Sequence, residues 1–279
     1  FIFGADVNEF AGFKTRADIE SHIHDVLATF RMIEEMPCPT VILVDVICVG
    51  GGFELALAFD RIIAIDDGAC QLGFPEINLG LLPGYGGSAR AAERMGPEAA
   101  MRLVLHGRPM KARDALAAAA MDYLVGGRDE LEDAARAAIR GEIAKAVPPT
   151  TGDLAAAIGA ARGALLARTS PENMPAPFAI LDHYSLNDIS KNSLLNNETQ
   201  LFSYLMLTPA SAGMRRNFQL TDAVKRAGRG DATISHVHVI GAGTMGGDIA
   251  AVAAMTGYRV TLQDISADAI EAAIVRAGT

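Results

Sequence analysis

A chain of 279 residues, 50% hydrophobic and 20% charged, has the composition of an ordinary globular protein of about two domains. A net charge of −9 speaks against duplex nucleic acid as a partner, which would need a local basic stripe, and no window reaches the roughly 18 unbroken apolar residues of a membrane span. The three cysteines, Cys38, Cys48 and Cys70, form no CxxC pair and are expected as small buried thiols in a reducing compartment.

In chain order, "FIFGA" at residues 1–5 reads as a buried strand, and "TRADIESHIHDVLATFRMIEEM" after it as a helix. "TVILVDVICV" and "RIIAI" read as two further buried strands, and "GPEAAMRLVLHG" as a helix. Residues 1–126 thus alternate strands and helices in the manner of an α/β layered domain. From 127 to 233 the pattern is almost wholly helical: "DELEDAARAAIRGEIAKAV" and "GDLAAAIGAARGALLA" are Ala-rich helices and "SPENMPAPF" is a Pro-broken connector. "LLNNETQLFSYLMLTPASAGMRRNF" resumes helix and "RAGRGDATIS" is a polar linker. From 234 to 279 the chain switches to strand, glycine turn, helix and strand in "HVHVIGAGTMGGDIAAVAAMTGYRVTLQDI". It opens inside a strand and closes inside a helical pattern, so it reads as a piece of a longer protein whose targeting is not legible from residue 1.

Three stretches of the first region carry chemistry. "VGGGFELALAF" at Val49–Phe59 sets three glycines before Glu54 at the mouth of an apolar helix. Glycine lets another atom approach the peptide closely, and a helix N-terminus presents free N–H groups with the positive end of the dipole behind them. Such a turn can hold a developing oxyanion, and Glu54 would face whatever the N–H groups hold. "GADVNEF" at Gly4–Phe10 is a second turn into a helix, with Asp6 and Glu9 at capping-box spacing. "FPEINLGLLPGYGGSAR" isolates a second acid, Glu76, between a proline and apolar residues, where its pKa should rise. Taken singly, the first stretch is a Gly-rich strand–helix turn with an N-terminal acid, and Glu76 a solvated loop acid.

In order, spacing and residue type, the three stretches together resemble the crotonase (enoyl-CoA hydratase/isomerase) superfamily over residues 1–126. The resemblance implies a spiral ββα core, with the N–H groups of Ala5 and Gly51 binding the carbonyl of an acyl-CoA thioester. It implies Glu54 and Glu76 as the acid–base pair, with Gly84 lining the pocket near the attacking water. Members that only shift a double bond typically need the second acid alone, so the presence of both favours hydration of a trans-2-enoyl-CoA. The chain departs from the commoner pattern at Phe3, where a small residue is usual, and at Ser88-Ala89, where Thr-Gln is usual; Phe3 could narrow the pocket.

Gly241, Gly243 and Gly246 stand in GxGxxG spacing between a strand and a helix, with Asp264 closing the next strand about 20 residues on. That context reads as the first βαβ unit of a Rossmann domain, with pyrophosphate on the helix N-terminus and Asp264 on the ribose hydroxyls, which favours NAD. A crotonase region, a helical linker carrying "NMPAP" and "ETQLFSYLMLTPAS", and then this unit resemble the bifunctional fatty-acid β-oxidation enzymes. These fuse an enoyl-CoA hydratase to an L-3-hydroxyacyl-CoA dehydrogenase. The resemblance implies that Met245 and Asp264 contact NAD, that Asp222 contacts substrate, and that a thiolase β subunit joins an α2β2 complex, in a bacterial cytoplasm. It implies neither a nucleic-acid partner nor a metal. The dehydrogenase's catalytic His lies beyond the first βαβ unit, and His22, His24, His106, His183, His236 and His238 do not stand in that context. Another crotonase reaction, such as isomerisation or thioester hydrolysis, and a non-catalytic acyl-CoA or NAD-binding module remain the alternatives.

Overall fold

The structure, a computed structural model, describes Gly4 and residues 9–149, 152–227 and 234–278. The expected first strand, and with it Phe3, Ala5 and Asp6, lies outside the described residues apart from Gly4. The chain divides into two compact units, Phe1–Thr221 and Asp222–Thr279.

The first unit opens with a 3-10 turn at Glu9–Gly12 and helix α1, Arg16–Glu34. Thr15 caps α1 in a capping box with Asp18, which satisfies two of the N–H groups that a helix start leaves open. "TVILVDVICV" is not one strand. It breaks at Asp45–Val46 into β1, Val41–Val44, and β2, Ile47–Val49, which belong to different sheets. The helix α2, Gly51–Ala56, follows, and the pattern repeats with β3, Arg61–Ile65, then β4, Gln71–Gly73, and a 3-10 turn at Glu76–Leu79. Helices α3, Gly87–Met95, and α4, Pro97–His106, complete that turn of the chain. A third turn adds β5, Met110–Lys111, α5, Ala112–Ala117, and β6, Tyr123–Val125.

The first two turns each lay one strand in each of two sheets. β1, β3 and β6 are parallel neighbours in one, with Val41 opposite Arg61 and Ile63 opposite Tyr123. In the other, β2 pairs parallel with β4 and β5 closes antiparallel. This is a spiral ββα core, and parallel strands covered on both faces need the near-continuous apolar runs that "VILV" and "RIIAI" supply. Phe53, Ile62, Leu72, Phe74 and Met101 lie in the core at 1% exposure or less, each contributing about 1.5–3 kcal/mol on burial. Beneath them Arg94 pairs with Asp122, which also accepts from the N–H groups of Ile62 and Ala146 at 2.8 Å each.

Helix α6, Leu131–Ile139, packs on the β1–β3 face in a smaller second cluster with Ile63, Ile65 and Val125. The helix expected to run on through "RGEIAKAV" stops here because Gly141, at φ +78°, leaves the right-handed region. Helix α7, Leu154–Leu166, follows, and α8, Pro175–Tyr184, starts inside the stretch expected as connector. Proline is well placed at the first helical position, where its missing N–H costs nothing. Helices α9, Lys191–Met206, and α10, Pro209–Ala227, then pack back toward the spiral, α9 against α1, α3 and α8. Cys48 and Cys70 are buried, but Cys38 is exposed in the α1–β1 loop, against expectation.

The second unit holds β7, His236–Ile240, α11, Thr244–Met255, β8, Arg259–Gln263, and α12, Ala267–Ala277. β7 and β8 form a two-stranded parallel sheet in register His236 to Arg259 through Ile240 to Gln263, a βαβ unit of Rossmann type. Among the described residues no helix is long and apolar enough to cross a membrane.

Candidate active site

Gly50 ends β2 at φ +58° and ψ −137°, a conformation that a side chain rarely adopts. A Cβ there would stand 2.9 Å from Oε1 of Glu76, so the glycine also makes room for a carboxyl group. α2 starts at the next residue, and helix geometry leaves the N–H groups of Gly51 and Gly52 without an intrahelical acceptor. Gly4, at φ +100°, packs onto the same turn, its Cβ position 3.4 Å from the nitrogen of Gly51. Ala5, the other expected donor, lies outside the described residues.

Glu54, in the first turn of α2, is 2% exposed, and its Oε1 accepts the N–H groups of Tyr85 at 2.7 Å and Gly87 at 2.8 Å. Those donors belong to the turn that starts α3, where Gly86 is left-handed at φ +89°. A Cβ on Gly87 would meet Cγ of Glu54 at 2.7 Å, so this acid reaches its donors only because position 87 is bare. Burial pushes the Glu54 carboxyl up to about 7, with the two N–H donors pulling the other way.

Glu76 opens the 3-10 turn after β4 and Pro75. Its Oε2 is buried without a hydrogen-bond partner among the described residues. Burial, and after it the charge of Glu54, raise its carboxyl well above the usual range. A carboxyl group with one oxygen buried and unpartnered costs least when it keeps its proton.

Both acids line one cavity of about 230 Å³, with Gly51, Gly84, Phe202 and Phe218 also at its wall. The cavity thus brings together Glu54, Glu76, Gly51 and Gly84. Gly84 is seated under Phe202, whose ring lies 2.7 Å from its Cβ position. Phe202 comes from α9, more than a hundred residues along the chain, in the stretch "ETQLFSYLMLTPAS" that the sequence marked as linker and not as part of the site.

A third buried acid also escaped the sequence reading. Glu198 on α9, 1% exposed, accepts the N–H groups of Gly86 and Ser88 at 2.5 and 2.9 Å. Burial, with the Glu54 charge behind it, pushes Glu198 up to about 8. Ser88 Oγ meets both Glu198 Oε2 and Nε2 of His183, the latter at 2.8 Å. A lone Glu in "NNETQLF" has the look of a solvated helix acid. Only the packing of α9 on α3 turns it inward. Among the described residues no group of three His, Cys, Asp or Glu side chains is placed to hold a metal ion.

In the second unit Gly241, at φ +103°, turns out of β7, and a Cβ on Gly246 would stand 1.8 Å from the Gly241 carbonyl oxygen. Both positions therefore demand glycine. Gly243 caps α11 with open space at its Cβ position, and Met245 is 79% exposed beside it. Asp264 accepts the N–H groups of Ala242 at 2.5 Å and Ser266 at 2.9 Å, which hold its carboxyl below the usual range and ionised. A glycine turn on an open helix N-terminus beside an ionised acid fits a dinucleotide. Asp222 lies near the end of α10, where Arg226 donates to it at 2.7 Å.

Residues 1–170 match the enoyl-CoA hydratase/isomerase family, and residues 236–279 the NAD-binding domain of 3-hydroxyacyl-CoA dehydrogenase. The fatty acid oxidation complex subunit alpha of Acinetobacter baumannii (strain SDF) is 32% identical over 95% of this chain and 39% of its own length. That of Idiomarina loihiensis is 31% identical over 98% of this chain and 41% of its own. The chain therefore spans about two fifths of the length of the curated relatives it matches. Among solved structures, a carnitinyl-CoA dehydratase from Mycobacterium thermoresistibile superimposes with a TM-score of 0.58 at 21% identity, over 82% of this chain and 76% of the other. An enoyl-CoA hydratase from Rhodobacter sphaeroides also reaches 0.58, at 23% identity over 78% and 72%. At that identity they speak to the fold alone.

Proposed function

The chain belongs to the enoyl-CoA hydratase/isomerase family, and on that premise we propose that it adds water across the double bond of a trans-2-enoyl-CoA in fatty-acid β-oxidation. The observation that carries this reading is the pair of acids, Glu54 and Glu76, on one small cavity in different electrostatic states. Near neutrality Glu54, with two N–H donors on one oxygen, gives up its proton before Glu76, which has no donor on Oε2. Glu54 is then the base and Glu76 the acid.

The step balances with those states. Glu54 takes a proton from water as the oxygen bonds to C3. The C2–C3 π electrons move toward the thioester, whose oxygen is held by the N–H groups of Gly51 and Ala5. Glu76 delivers its proton to C2, the carbonyl re-forms, and the product is a 3-hydroxyacyl-CoA. Proton exchange between the two acids restores the start. Both acids act from one cavity, which supports addition to a single face. Gly84 keeps the wall beside the water thin enough for the Phe202 ring to close over it.

For the second unit we propose NAD held by Gly241, Gly243, Met245, Gly246 and Asp264, the dinucleotide supplying a hydride acceptor when bound. Asp222 would serve the same domain by touching substrate. The relatives' name as a subunit of a complex supports a thiolase β subunit as partner in an α2β2 assembly, and their bacterial sources support a bacterial cytoplasm.

The direct test follows loss of enoyl absorbance when the purified chain meets crotonyl-CoA. Saturable hydration is expected. Double-bond migration in a 3-enoyl-CoA without hydration would replace the reading by isomerase, and thioester cleavage would replace it by hydrolase. Binding without any turnover would leave an acyl-CoA module.

A further inference from the structure

Four peptide N–H groups at the start of α3 are shared, in alternation, between two carboxyl groups from different helices. Tyr85 and Gly87 donate to Glu54 on α2; Gly86 and Ser88 donate to Glu198 on α9. Two buried acids on one turn resist being charged together, since each raises the cost of ionising the other. Glu54 can serve as base only if Glu198 keeps its proton.

The hydrogen count beyond Glu198 says where that proton is. His183 is fully buried, and burial pushes its imidazole down to about 4, so the ring is neutral. Its Nδ1 faces Oδ1 of Asn197 at 2.8 Å. A carbonyl oxygen can only accept, so the ring hydrogen sits on Nδ1 and Nε2 is a bare acceptor. Nε2 lies 2.8 Å from Ser88 Oγ, whose single hydrogen therefore goes to it. The Ser88 hydroxyl has none left for Glu198, yet Glu198 Oε2 also meets it. The hydrogen in that contact must come from Glu198. The hydrogens then run in one direction: Glu198 donates to Ser88, Ser88 to His183 and His183 to Asn197, while Tyr184 donates to the Ser88 carbonyl at 3.0 Å.

We propose that Glu198 is a positioning residue for Glu54: a neutral carboxylic acid, anchored on Ser88, His183 and Asn197, that ties down the N–H groups of Gly86 and Ser88 so that those of Tyr85 and Gly87 stay aimed at Glu54. The proposal rests on the reading of Glu54 as the base. Its own content is that the substrate never meets Glu198, which acts through the turn. The charged and titratable groups around Glu198 are Glu54 and Glu76 across the turn, His183 and Tyr184 on α8, and Arg90 on α3. The Arg90 guanidinium is itself held by Glu34 of α1 at 2.8 Å and donates to the Tyr85 carbonyl at 2.8 Å.

The test compares Glu198→Gln with Glu198→Ala in the whole chain. The Glu54 carboxyl is titrated by 13C NMR, assigned by its loss in Glu54→Gln, and kcat and KM are measured for crotonyl-CoA. Glutamine keeps the acceptor for the Gly86 N–H and a donor for the Ser88 hydroxyl and gives up only the acceptor for the Ser88 N–H, so the Glu54 midpoint should stay close to its wild-type value and kcat should remain within about threefold. Alanine releases the turn, so Glu54 loses donors that favour its charged form. Its midpoint should rise by about one unit or more and kcat at neutral pH fall about tenfold or more, with KM little changed. A downward move of the midpoint in Glu198→Gln would mean that Glu198 carries a charge, and overturns the proposal. An unmoved midpoint in Glu198→Ala overturns it as well, and if that variant does not fold the glutamine result decides. Should the wild-type chain hydrate nothing, the functional reading fails, while the carboxyl titration still decides the positioning role.

Discussion

Glu54 and Glu76 are the same residue type given different tasks by their surroundings. Burial lifts both, but two peptide N–H groups favour the anion at Glu54 and none meets Oε2 of Glu76. The sign of the pH dependence follows. The base must be ionised, so kcat/KM should fall as pH drops below about 7. The acid must be protonated, so kcat/KM should fall again on the alkaline side as the pair loses its second proton. Glu54→Gln is expected to cut kcat by at least about 10²-fold and to abolish the acid limb of the profile. Steady-state rates across the pH range check this, and an acid limb that survives in Glu54→Gln would assign it to another group. The same raised values have a stability side. A folded-state pKa above the unfolded one gives stabilisation that is present below the unfolded value and lost as pH rises through the folded one. The fold should therefore weaken as pH climbs from the ordinary glutamate value of 4.5 to about 7 for Glu54 and about 8 for Glu198, and level off above them.

At the scale of elements, the start of α3 decides the site, and its glycines are not equivalent. A Cβ at position 87 would collide with Glu54 and the Phe74 ring, whereas one at Gly213 in α10 would meet nothing within 4 Å. Gly87→Ala should lower hydration about tenfold or more by displacing the base. Gly213→Ala should leave turnover unchanged and gain about 0.5–1 kcal/mol, as expected for removing a glycine from a helix interior. Equal effects of the two would mean that the turn is not a tight fit. The support beneath α3 is the buried Arg94–Asp122 pair, with Asp122 also holding the N–H groups of Ile62 and Ala146. Asp122→Ala strands a guanidinium and two peptide donors at once. It should cost about 3–5 kcal/mol in denaturant unfolding, and a loss below about 1 kcal/mol, the scale of a surface pair, would show that water reaches Arg94.

The whole molecule is two units of unequal build. The first surrounds its parallel sheets with helices and buries Phe53, Phe74 and Tyr184. The second has one two-stranded sheet, and Ile240, Met245, Ile249 and Ile265 stand more than half exposed. Two strands with α11 on them leave those apolar side chains in water and bury far less than the helix-covered sheets of the first unit. Amide hydrogen exchange should therefore be much faster in β7 and β8 than in β1 and β3. Adding NAD in excess should slow the amides of Gly243 to Gly246 and leave those of unit 1 as they were. Protection of β7 equal to that of β3 would show that the βαβ unit is self-sufficient, and no response to NAD would remove the assignment of its site.

What the residues determine on their own is whatever has a local cause. The glycine turn before Glu54, the Thr15-capped α1, the "RIIAI" strand and the GxGxxG turn were legible because their glycines, caps and apolar periods act within a few residues. The two acids of the cavity were singled out by the resemblance of their stretches to a family pattern, since taken singly Glu76 has the look of a solvated loop acid. What the tertiary structure decided lies where distant segments meet. "TVILVDVICV" is one apolar run, but pairing with β3 and with β4 in different sheets forces a break at Asp45–Val46. Gly141, and not the Ala-rich period, ends α6. Phe202 over Gly84 and Glu198 under Ser88 come from α9, where the sequence offers only an amphipathic helix with a polar face. Their place in the site follows from the packing of α9 on α3, in which the lost solvation of Glu198 is replaced by peptide hydrogen bonds. No spacing along the chain encodes that exchange.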